Sequence, residues 1–267
     1  MVRSFSLRDG LFAAVDCSDW EDFRRTARDM LKSHAGSNAI SDKFAFRGQS
    51  CSTWLLEPSF DRTHSGLSPA DRDEHYTDQM RLFRENYSVY GEIARNPFSD
   101  TLSDFQALDD AKVEAIAQHY GLSTRLLDWS FSMYVAAFFA FSRVDLCISG
   151  QVSIWSIDLS ILDKFSKKEI SSSRDVYKGN VRNLWQMGIF LRNHTSNPNL
   201  ASLFLRASRS YDHKLDGGNP ALIRFDFPVS CETDVLDDLQ MMRINSMTIF
   251  PGMEGVINWI KRKTSSV

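Results

Sequence analysis

The sequence predicts a single α+β domain in which several helices surround a small mixed or antiparallel sheet. Apolar residues recur at helical spacing in several long stretches, and polar and apolar residues alternate in shorter stretches between them. No internal repeat, low-complexity linker or abrupt change in composition marks a boundary within residues 1–267. One domain is therefore expected to include the core motifs (44–190), the N-terminal helix (18–34) and the C-terminal strand and helix (221–263).

Capping patterns predict where the helices of the first half begin. Ser18 opens a capping box and predicts a helix over residues 18–34. A serine–proline pair predicts a second helix over residues 69–94. Ser103 predicts the cap of a third helix, which Gly121 ends in a left-handed conformation.

Strands are predicted mainly in the second half of the chain. Alternating residues predict strands at 43–47, 151–158 and 221–227. The apolar segment 183–191 predicts a buried strand, or a turn that leads into one. The C-terminal part predicts a helix over 232–244, a short strand over 247–250 and a last helix over 252–263.

Composition limits the classes of function. The chain is 43% apolar and 24% charged with a net charge of -3, which is ordinary for a soluble globular protein and disfavours bulk non-specific DNA binding. The N-terminus lacks the apolar core of a signal peptide, and the longest apolar run, Met133–Phe141, is too short to span a bilayer. A cytoplasmic protein that does not bind membranes is expected.

The cysteine pattern and the absence of three common motifs exclude further kinds of site. The four cysteines are scattered without a CxxC pair, so we expect reduced thiols packed as small hydrophobes and no metal site. The sequence contains no GxSxG nucleophile elbow, P-loop or GxGxxG motif.

The stretch from Gln118 to Phe141 is the most informative part of the sequence. It indicates the end of the third helix, a polar turn, and then an almost wholly apolar helix over about 130–143. Burying unpaired charge is costly, so the polar groups of this turn need partners, either one another or a ligand. These hydrogen-bonding residues are His119, Tyr120, Thr124, Arg125, Asp128, Trp129 and Ser130.

Most of these residues have both a structural and a functional interpretation. Arg125 and Asp128 pair with each other or with a ligand, and Asp128 is also a candidate cap for the apolar helix. Trp129 is either a core residue or a plate on which a planar ring stacks. His119 either satisfies the last helical carbonyls or orients a substrate and takes part in acid–base chemistry.

Two shorter motifs supply further candidates. In FRGQ, Gly48 allows the backbone to approach a ligand closely, and Arg47 then holds a phosphate or carboxylate. The alternative is a structural Arg47 paired with a carboxylate of the core. Gln186 lies in an apolar segment and needs buried partners, which makes it a candidate site residue.

The order of these motifs resembles the FRG domain family, named for the Phe-Arg-Gly that stands here at Phe46, Arg47 and Gly48. The similar segments are FRGQ, TWLLEPSF, QHYGLSTRLLDWSFSMYVAAFFAF, RNLWQMGIF and, more weakly, INSMTIFPGMEGVINWI. The family consists of bacterial and phage proteins that are often linked to defence or toxin-like systems. The resemblance therefore implies a defence or toxin-type effector.

An arginine on an early strand, a His-Tyr turn and an apolar helix also resemble, more distantly, the ADP-ribosyltransferases. This resemblance implies NAD as the cofactor, held by Arg47, with His119 and Tyr120, or Ser130, lining the nicotinamide pocket. The implied catalytic residues are Arg47, His119, Asp128 and Gln186. The implied nucleotide-binding residues are Arg47, Gly48, Gln49, Tyr120, Thr124, Arg125, Trp129 and Ser130.

One position departs from the transferase pattern. Gln186 lies where such enzymes often carry a catalytic glutamate. Cleavage of the nicotinamide–ribose bond develops positive charge on the ribose, which a carboxylate stabilises better than an amide does. The transferase interpretation therefore requires that Asp128 or Glu232 supplies the carboxylate.

Three hypotheses follow. The first is an NAD-dependent ADP-ribosyltransferase or NAD-cleaving enzyme with an unknown protein or nucleic-acid acceptor. The second is a non-catalytic module that senses a nucleotide, a nucleic-acid end or a protein partner. The third is a buried structural network made of the same polar residues.

Overall fold

The computed structural model describes residues 6–8, 12–35, 43–90, 108–164, 169–173, 184–195, 197–204 and 221–265. The strands are β1 (Ser6–Arg8), β2 (Phe12–Asp16), β3 (Phe44–Gln49), β4 (Leu126–Ser130), β5 (Gln151–Asp158), β6 (Ile170–Ser173), β7 (Gly188–Asn193) and β8 (Leu222–Pro228). The helices are α1 (Trp20–Ala35), α2 (Ser59–Thr63), α3 (Pro69–Tyr90), α4 (Asp110–His119), α5 (Met133–Phe141), α6 (Glu232–Met241), α7 (Ser246–Ile249) and α8 (Met253–Ser265).

Across these described ranges the strands form one mixed sheet in the order β1-β2-β8-β5-β3-β4-β7-β6. The pair β2–β8 is parallel, and the other neighbouring pairs are antiparallel. The α+β class and the mixed sheet are therefore confirmed. The sheet has eight strands and is larger than the small one predicted.

Helices and connecting segments cover both faces of the sheet. On β5, Val152 and Ile154 pack in one core with α1, α5 and α6. Trp155 and Ile157 pack in a second core on the opposite face, against the helical residues 200–204. The strand is thus buried on both faces, although its alternating sequence is typical of a half-buried strand.

Helix α5 packs directly on β3, and Gly48 is the residue that permits it. A Cβ atom at this position would lie well under 3.0 Å from the Ala136 carbonyl oxygen and from the Ala140 nitrogen. Both are backbone atoms of α5, which cannot move away as a flexible side chain would. The predicted close approach at Gly48 is therefore made by a helix of the protein itself.

Strand β4 replaces the predicted polar turn. It pairs with β7 over five positions, and only Asp128 among its residues is exposed. The sequence did not reveal β4, because polar residues flank its short apolar segment and its pairing partner, β7, lies about 60 residues further along the chain. Helix α5 begins at Met133, and its cap is Ser132, which accepts a hydrogen bond from the Val135 amide. The prediction that Asp128 caps this helix is wrong.

Other helix boundaries shift for identifiable reasons. Helix α4 is capped by Asp109, whose side chain accepts from the Lys112 amide at 2.9 Å, while the predicted cap at Ser103 lies outside the described residues. At the start of α1, the Asp19 carboxylate accepts from the Asp22 amide at 2.8 Å, so Asp19 caps the helix, one residue after the predicted Ser18. Gly121 has a φ of 89°, as predicted for the residue that ends α4.

The predicted strand at 247–250 is wrong, because these residues belong mainly to the short helix α7. Asn245 caps this helix, accepting hydrogen bonds from the Met247 and Thr248 amides. Thr248 in turn accepts one from the Asn245 amide at 3.0 Å. This reciprocal capping box stabilises a helical turn although the segment contains β-branched residues.

None of the helices in the described part of the chain has the length and apolar content that a bilayer crossing requires. The four cysteines are free thiols. Cys17, Cys51 and Cys231 are buried, and Cys147 is half-buried.

We predict that Gly48→Ala lowers the free energy of unfolding by at least about 2 kcal/mol, because the added methyl group forces α5 away from β3. Urea unfolding followed by circular dichroism measures the change. Gly66→Ala is the matched control, since nothing lies within 4 Å of a Cβ atom at that position, and its effect is expected to stay within about 0.5 kcal/mol. Equal stabilities of the two variants would contradict the packing argument.

Candidate functional site

A cleft opens in the sheet where β3 and β4 stop pairing. The two strands share one paired position, Phe46 with Ser130, whereas β3 pairs with β5 over six positions. The cleft has a volume of about 380 Å³, within the usual range of small-molecule sites. Its walls come from β3 and β4, from α4 and α5, and from segments that include Arg62, Arg143 and Gln186.

Arg47 bridges the gap between the two strands. Continued antiparallel pairing would place Gly48 opposite Asp128, but instead the Arg47 Nη1 donates to the Asp128 carbonyl oxygen at 2.6 Å. Burial lowers the pKa of Arg47, and the nearby Asp128 charge opposes that shift. The guanidinium thus substitutes for a backbone hydrogen bond of the missing ladder.

Two buried donors of this cleft have no acceptor within the described part of the chain. They are the Nε of Arg47 and the indole Nε1 of Trp129, and both residues line the cleft. Buried donors are nearly always hydrogen-bonded, because an unmade bond costs about 1–3 kcal/mol. Both atoms lie within the wall of the cleft, with almost no exposure to solvent.

A chain of hydrogen bonds holds the Asp128 carboxylate in position. Its carboxylate accepts from the Gln118 Nε2 at 2.6 Å, and the Gln118 amide oxygen accepts from the Thr124 hydroxyl. Thr124 is fully buried, and its carbonyl accepts from the Phe60 amide, so Thr124 is itself fixed and restrains the Gln118 side chain. Among the described residues that line the cleft, Asp128 is the one acidic residue.

Three arginines, Arg47, Arg62 and Arg143, line the same cleft. Arg62 donates to the Glu57 carbonyl at 3.3 Å, and Arg143 lies 3.5 Å from the Asp145 carboxylate. Sequence reasoning missed Arg62 and Arg143, because neither stands in a recognisable motif. The position of Arg143 at the end of the predicted apolar helix was the one available indication. The excess of positive charge favours an anionic ligand.

Ser130 and Gln186 form the end of the cleft at which the strands still pair. The Ser130 hydroxyl donates to the Gln186 carbonyl at 2.7 Å and accepts from the Ser132 amide at 3.0 Å. The side-chain Nε2 of Gln186 donates to the Ile249 carbonyl on α7 at 3.2 Å. The predicted proximity of Gln186 to the central stretch is therefore found, with its amide partly engaged by the fold.

The structure separates the two residues of the His-Tyr pair. His119, on the last turn of α4, lines the cleft. Tyr120 is 52% exposed, does not line the cleft, and lies 6.0 Å from the Tyr87 ring between centroids. His119 therefore stays a candidate for contact with a ligand, and Tyr120 lies outside the site.

The remaining FRGQ residues form the wall of the cleft. Gln49 is buried and uses both ends of its amide, donating to the Leu55 carbonyl and accepting from the Trp155 indole at 2.7 Å. Gly48 faces α5. These two residues position Arg47 rather than offer free polar groups to a ligand.

Arg125 belongs to a separate network outside the cleft. Its Nη2 lies 2.7 Å from the Asp73 carboxylate and 3.4 Å from that of Asp61, and the guanidinium lies over the Tyr76 ring at 4.7 Å. The predicted alternative of an Arg125–Asp128 pair is wrong. Of the two interpretations of Arg125, the structural one fits its position.

A buried carboxylate lies next to this network. Glu114 accepts hydrogen bonds from the Tyr76 hydroxyl and the Arg125 amide, and it forms an ion pair with Arg192 at 2.9 Å. Burial raises the pKa of Glu114, and the Arg192 charge opposes that shift. These contacts join α3, α4 and β7 and stabilise the fold around the cleft.

Glu232, the other carboxylate considered for charge stabilisation, begins α6 and does not line the cleft. Of these two carboxylates, only that of Asp128 belongs to a residue that lines the cleft. Within the described ranges, no group of three or more His, Cys, Asp or Glu residues is arranged to hold a metal ion.

Residues 42–146 match the model of the FRG domain. The matched segment contains β3 with its Phe-Arg-Gly motif, β4 and α5, and hence most of the cleft. The similarity that the sequence suggests runs to Phe190, beyond residue 146, where the matched segment ends. No curated protein and no solved structure gives a significant match to the chain. The relation to ADP-ribosyltransferases remains a prediction.

We predict that Arg125→Ala lowers the free energy of unfolding by about 3 kcal/mol, because it leaves the buried Asp61 carboxylate with weaker compensation. Thermal and urea unfolding measure this loss. Arg81→Ala is the control: its ion pairs with Asp78 and Glu85 are exposed, and its effect is expected to stay below about 0.5 kcal/mol. A similar small effect for both variants would rule out the structural role of Arg125.

Proposed function

We propose that the protein binds NAD or a related nucleotide in this cleft and acts as an ADP-ribosyltransferase. The observation that carries the proposal is the meeting of Arg47 and Asp128 across the break between β3 and β4. One supplies an unsatisfied buried cationic donor, and the other the carboxylate that such a reaction needs. The resemblance of the motif order to transferases supports the same function, and these motifs lie mostly within the segment that matches the FRG domain.

Phosphate recognition would rest on the arginines. Arg47 lies in the inner wall of the cleft, and Arg62 and Arg143 lie at more exposed positions of the wall. A planar guanidinium donates in pairs to phosphate oxygens, and such charge-assisted bonds are about twice as strong as neutral ones. Trp129, with its own free donor, lies beside Arg47 in the same wall. A pyrophosphate therefore suits the cleft better than a neutral ligand does.

The chemistry would depend on Asp128. As the bond between ribose and nicotinamide breaks, its electron pair leaves with nicotinamide and positive charge develops on the ribose. The Asp128 carboxylate stabilises that charge, and Gln118 and Arg47 hold its position before the reaction begins. Gln186, which is engaged with Ile249, orients the substrate rather than stabilises charge. His119 orients the ligand from the last turn of α4.

The biological role that fits this proposal is that of a bacterial or phage defence or toxin-type effector. The ADP-ribose acceptor would then be a macromolecule, either a protein or a nucleic acid. The net charge of -3 makes a broad non-specific affinity for DNA unfavourable, so that a nucleic-acid acceptor would be recognised locally.

We predict that Asp128→Asn binds NAD within about threefold of wild type but transfers ADP-ribose at least about 100-fold more slowly, because only transition-state stabilisation is lost. Arg143→Ala should instead weaken NAD binding by about tenfold, the effect of one charge-assisted hydrogen bond. Calorimetric titration with NAD measures binding, and label transfer from NAD in cell extract together with nicotinamide release measures turnover.

The control for these variants is Arg81→Ala, which removes an exposed arginine of α3 that does not line the cleft and should change neither quantity. Failure of the wild-type protein both to bind NAD and to release nicotinamide would refute the proposal. Equal transfer rates for wild type and Asp128→Asn would refute the role of the carboxylate.

A second candidate is a non-catalytic module that senses a nucleotide, a nucleic-acid end or a protein partner. The ratio of three arginines to one carboxylate favours it, since binding an anion requires no catalytic group. A ligand that binds only the native state must raise its stability. An increase in melting temperature with NAD or a nucleotide, without nicotinamide release, would identify the module and exclude the enzyme.

A further inference from the structure

Two of the four cysteines lie directly behind the wall of the cleft. Cys51 follows Ser50, and Cys147 follows Leu146, and both preceding residues line the cleft. The two thiols are separated by 95 intervening residues in the chain and come together only in the fold. Any reaction between them would therefore act on the cleft wall.

The hydroxyl of Ser149 brings the two thiols together. Its Oγ lies 3.4 Å from the Cys51 sulfur and 3.5 Å from the Cys147 sulfur. Cys147 also contacts the Gln151 carbonyl at 3.1 Å, the same oxygen that accepts from the Ser52 amide at 2.8 Å. The residue after Cys51 and the side chain of Cys147 thus share one acceptor, which holds the two segments side by side.

The two thiols differ in exposure and acidity. Cys51 is fully buried, whereas Cys147 is half-buried within a mostly exposed segment. Burial alone would raise the pKa of Cys51, but hydrogen bonds from the hydroxyls and backbone amides of Ser149 and Thr53 outweigh it and lower this pKa from 9.0 to about 6. The lowered pKa favours the thiolate, the nucleophilic form, at Cys51 beside the more accessible Cys147.

We propose that Cys51 and Cys147 form a peroxide-reactive dithiol site whose oxidation to a disulfide constrains the wall of the cleft. Hydrogen peroxide oxidises the accessible Cys147: its sulfur bonds to one peroxide oxygen, the O–O bond breaks, and the leaving hydroxide takes the thiol proton as water. The Cys51 sulfur then attacks the sulfur of the sulfenic acid, the S–O bond breaks, and the hydroxide leaves and is protonated to water. Two thiols are oxidised, and one peroxide is reduced to two waters.

The disulfide would act on the cleft through its neighbours. It joins the segment after β3 to the segment after α5 and so ties Ser50 to Leu146 across the wall. A disulfide requires Cα atoms within about 7 Å, which leaves these segments less freedom to separate around a ligand. Oxidation is therefore expected to reduce ligand entry.

The first experiment treats the native full-length protein with a small excess of hydrogen peroxide, blocks the remaining thiols and analyses the peptides by mass spectrometry. We expect a peptide pair linked through Cys51 and Cys147, formed in the native protein and not in urea. Cys231→Ser is the matched control, since burial raises the pKa of that thiol and it lies outside the cleft. Absence of the linked pair in the native protein would overturn the proposal.

Single substitutions distinguish the roles of the two thiols. In Cys51→Ser the Cys147 sulfenic acid has no thiol to attack it, so dimedone labelling at Cys147 should rise at least about tenfold above wild type. In Cys147→Ser, the buried Cys51 should remain unlabelled. Labelling of Cys51 in the second variant, or none at Cys147 in the first, would overturn the assignment.

A third measurement compares NAD binding by the reduced and oxidised proteins, and this arm rests on the proposed function. We expect binding to weaken at least tenfold on oxidation, to recover with dithiothreitol, and to be insensitive to peroxide in Cys147→Ser. Equal affinities of the two forms would overturn the effect on the cleft. A linked peptide together with no NAD binding by the reduced protein would refute the nucleotide proposal alone and leave the dithiol site standing.

Discussion

The backbone contact between Gly48 and helix α5 determines the arrangement of the cleft. Because residue 48 has no side chain, α5 lies against β3 at a distance that any Cβ atom would prevent. The closeness places Phe139 and Arg143 beside the strand, within reach of the same cavity that Arg47 lines. The glycine of the Phe-Arg-Gly motif is thus a packing requirement, and the arginine next to it lines the cleft.

A second constraint is the early end of the β3–β4 ladder. A sheet that stops pairing leaves backbone groups to be satisfied by other means. The Arg47 side chain meets part of that need at the Asp128 carbonyl, and the opening it spans becomes the cleft. The same break therefore accounts for the cavity, for a cation held close to a carboxylate, and for the two buried donors, Arg47 Nε and Trp129 Nε1, that the described residues leave unsatisfied.

The polar residues of the central stretch were predicted as one group, and the structure divides them into two. Asp128, Trp129 and Ser130 line the cleft from β4, whereas Arg125 is engaged by the acidic residues of α2 and α3. Sequence spacing could not make this division, because β4 itself was predicted as a turn and the partners of Arg125 lie more than 50 residues earlier in the chain. Arg62, far away in the chain, was missed for a related reason, since only the fold brings it to the cavity.

By itself the sequence determined the α+β class, the strands β3, β5 and β8, and the helices α1 and α5. These are local properties, since periodicity, caps and motifs depend on residues a few positions apart. The tertiary structure alone decided that Gly48 receives a helix, that α7 is not a strand, and which polar residues share the cleft. Those outcomes depend on pairing and packing between distant segments, and no local pattern records which segments come into contact.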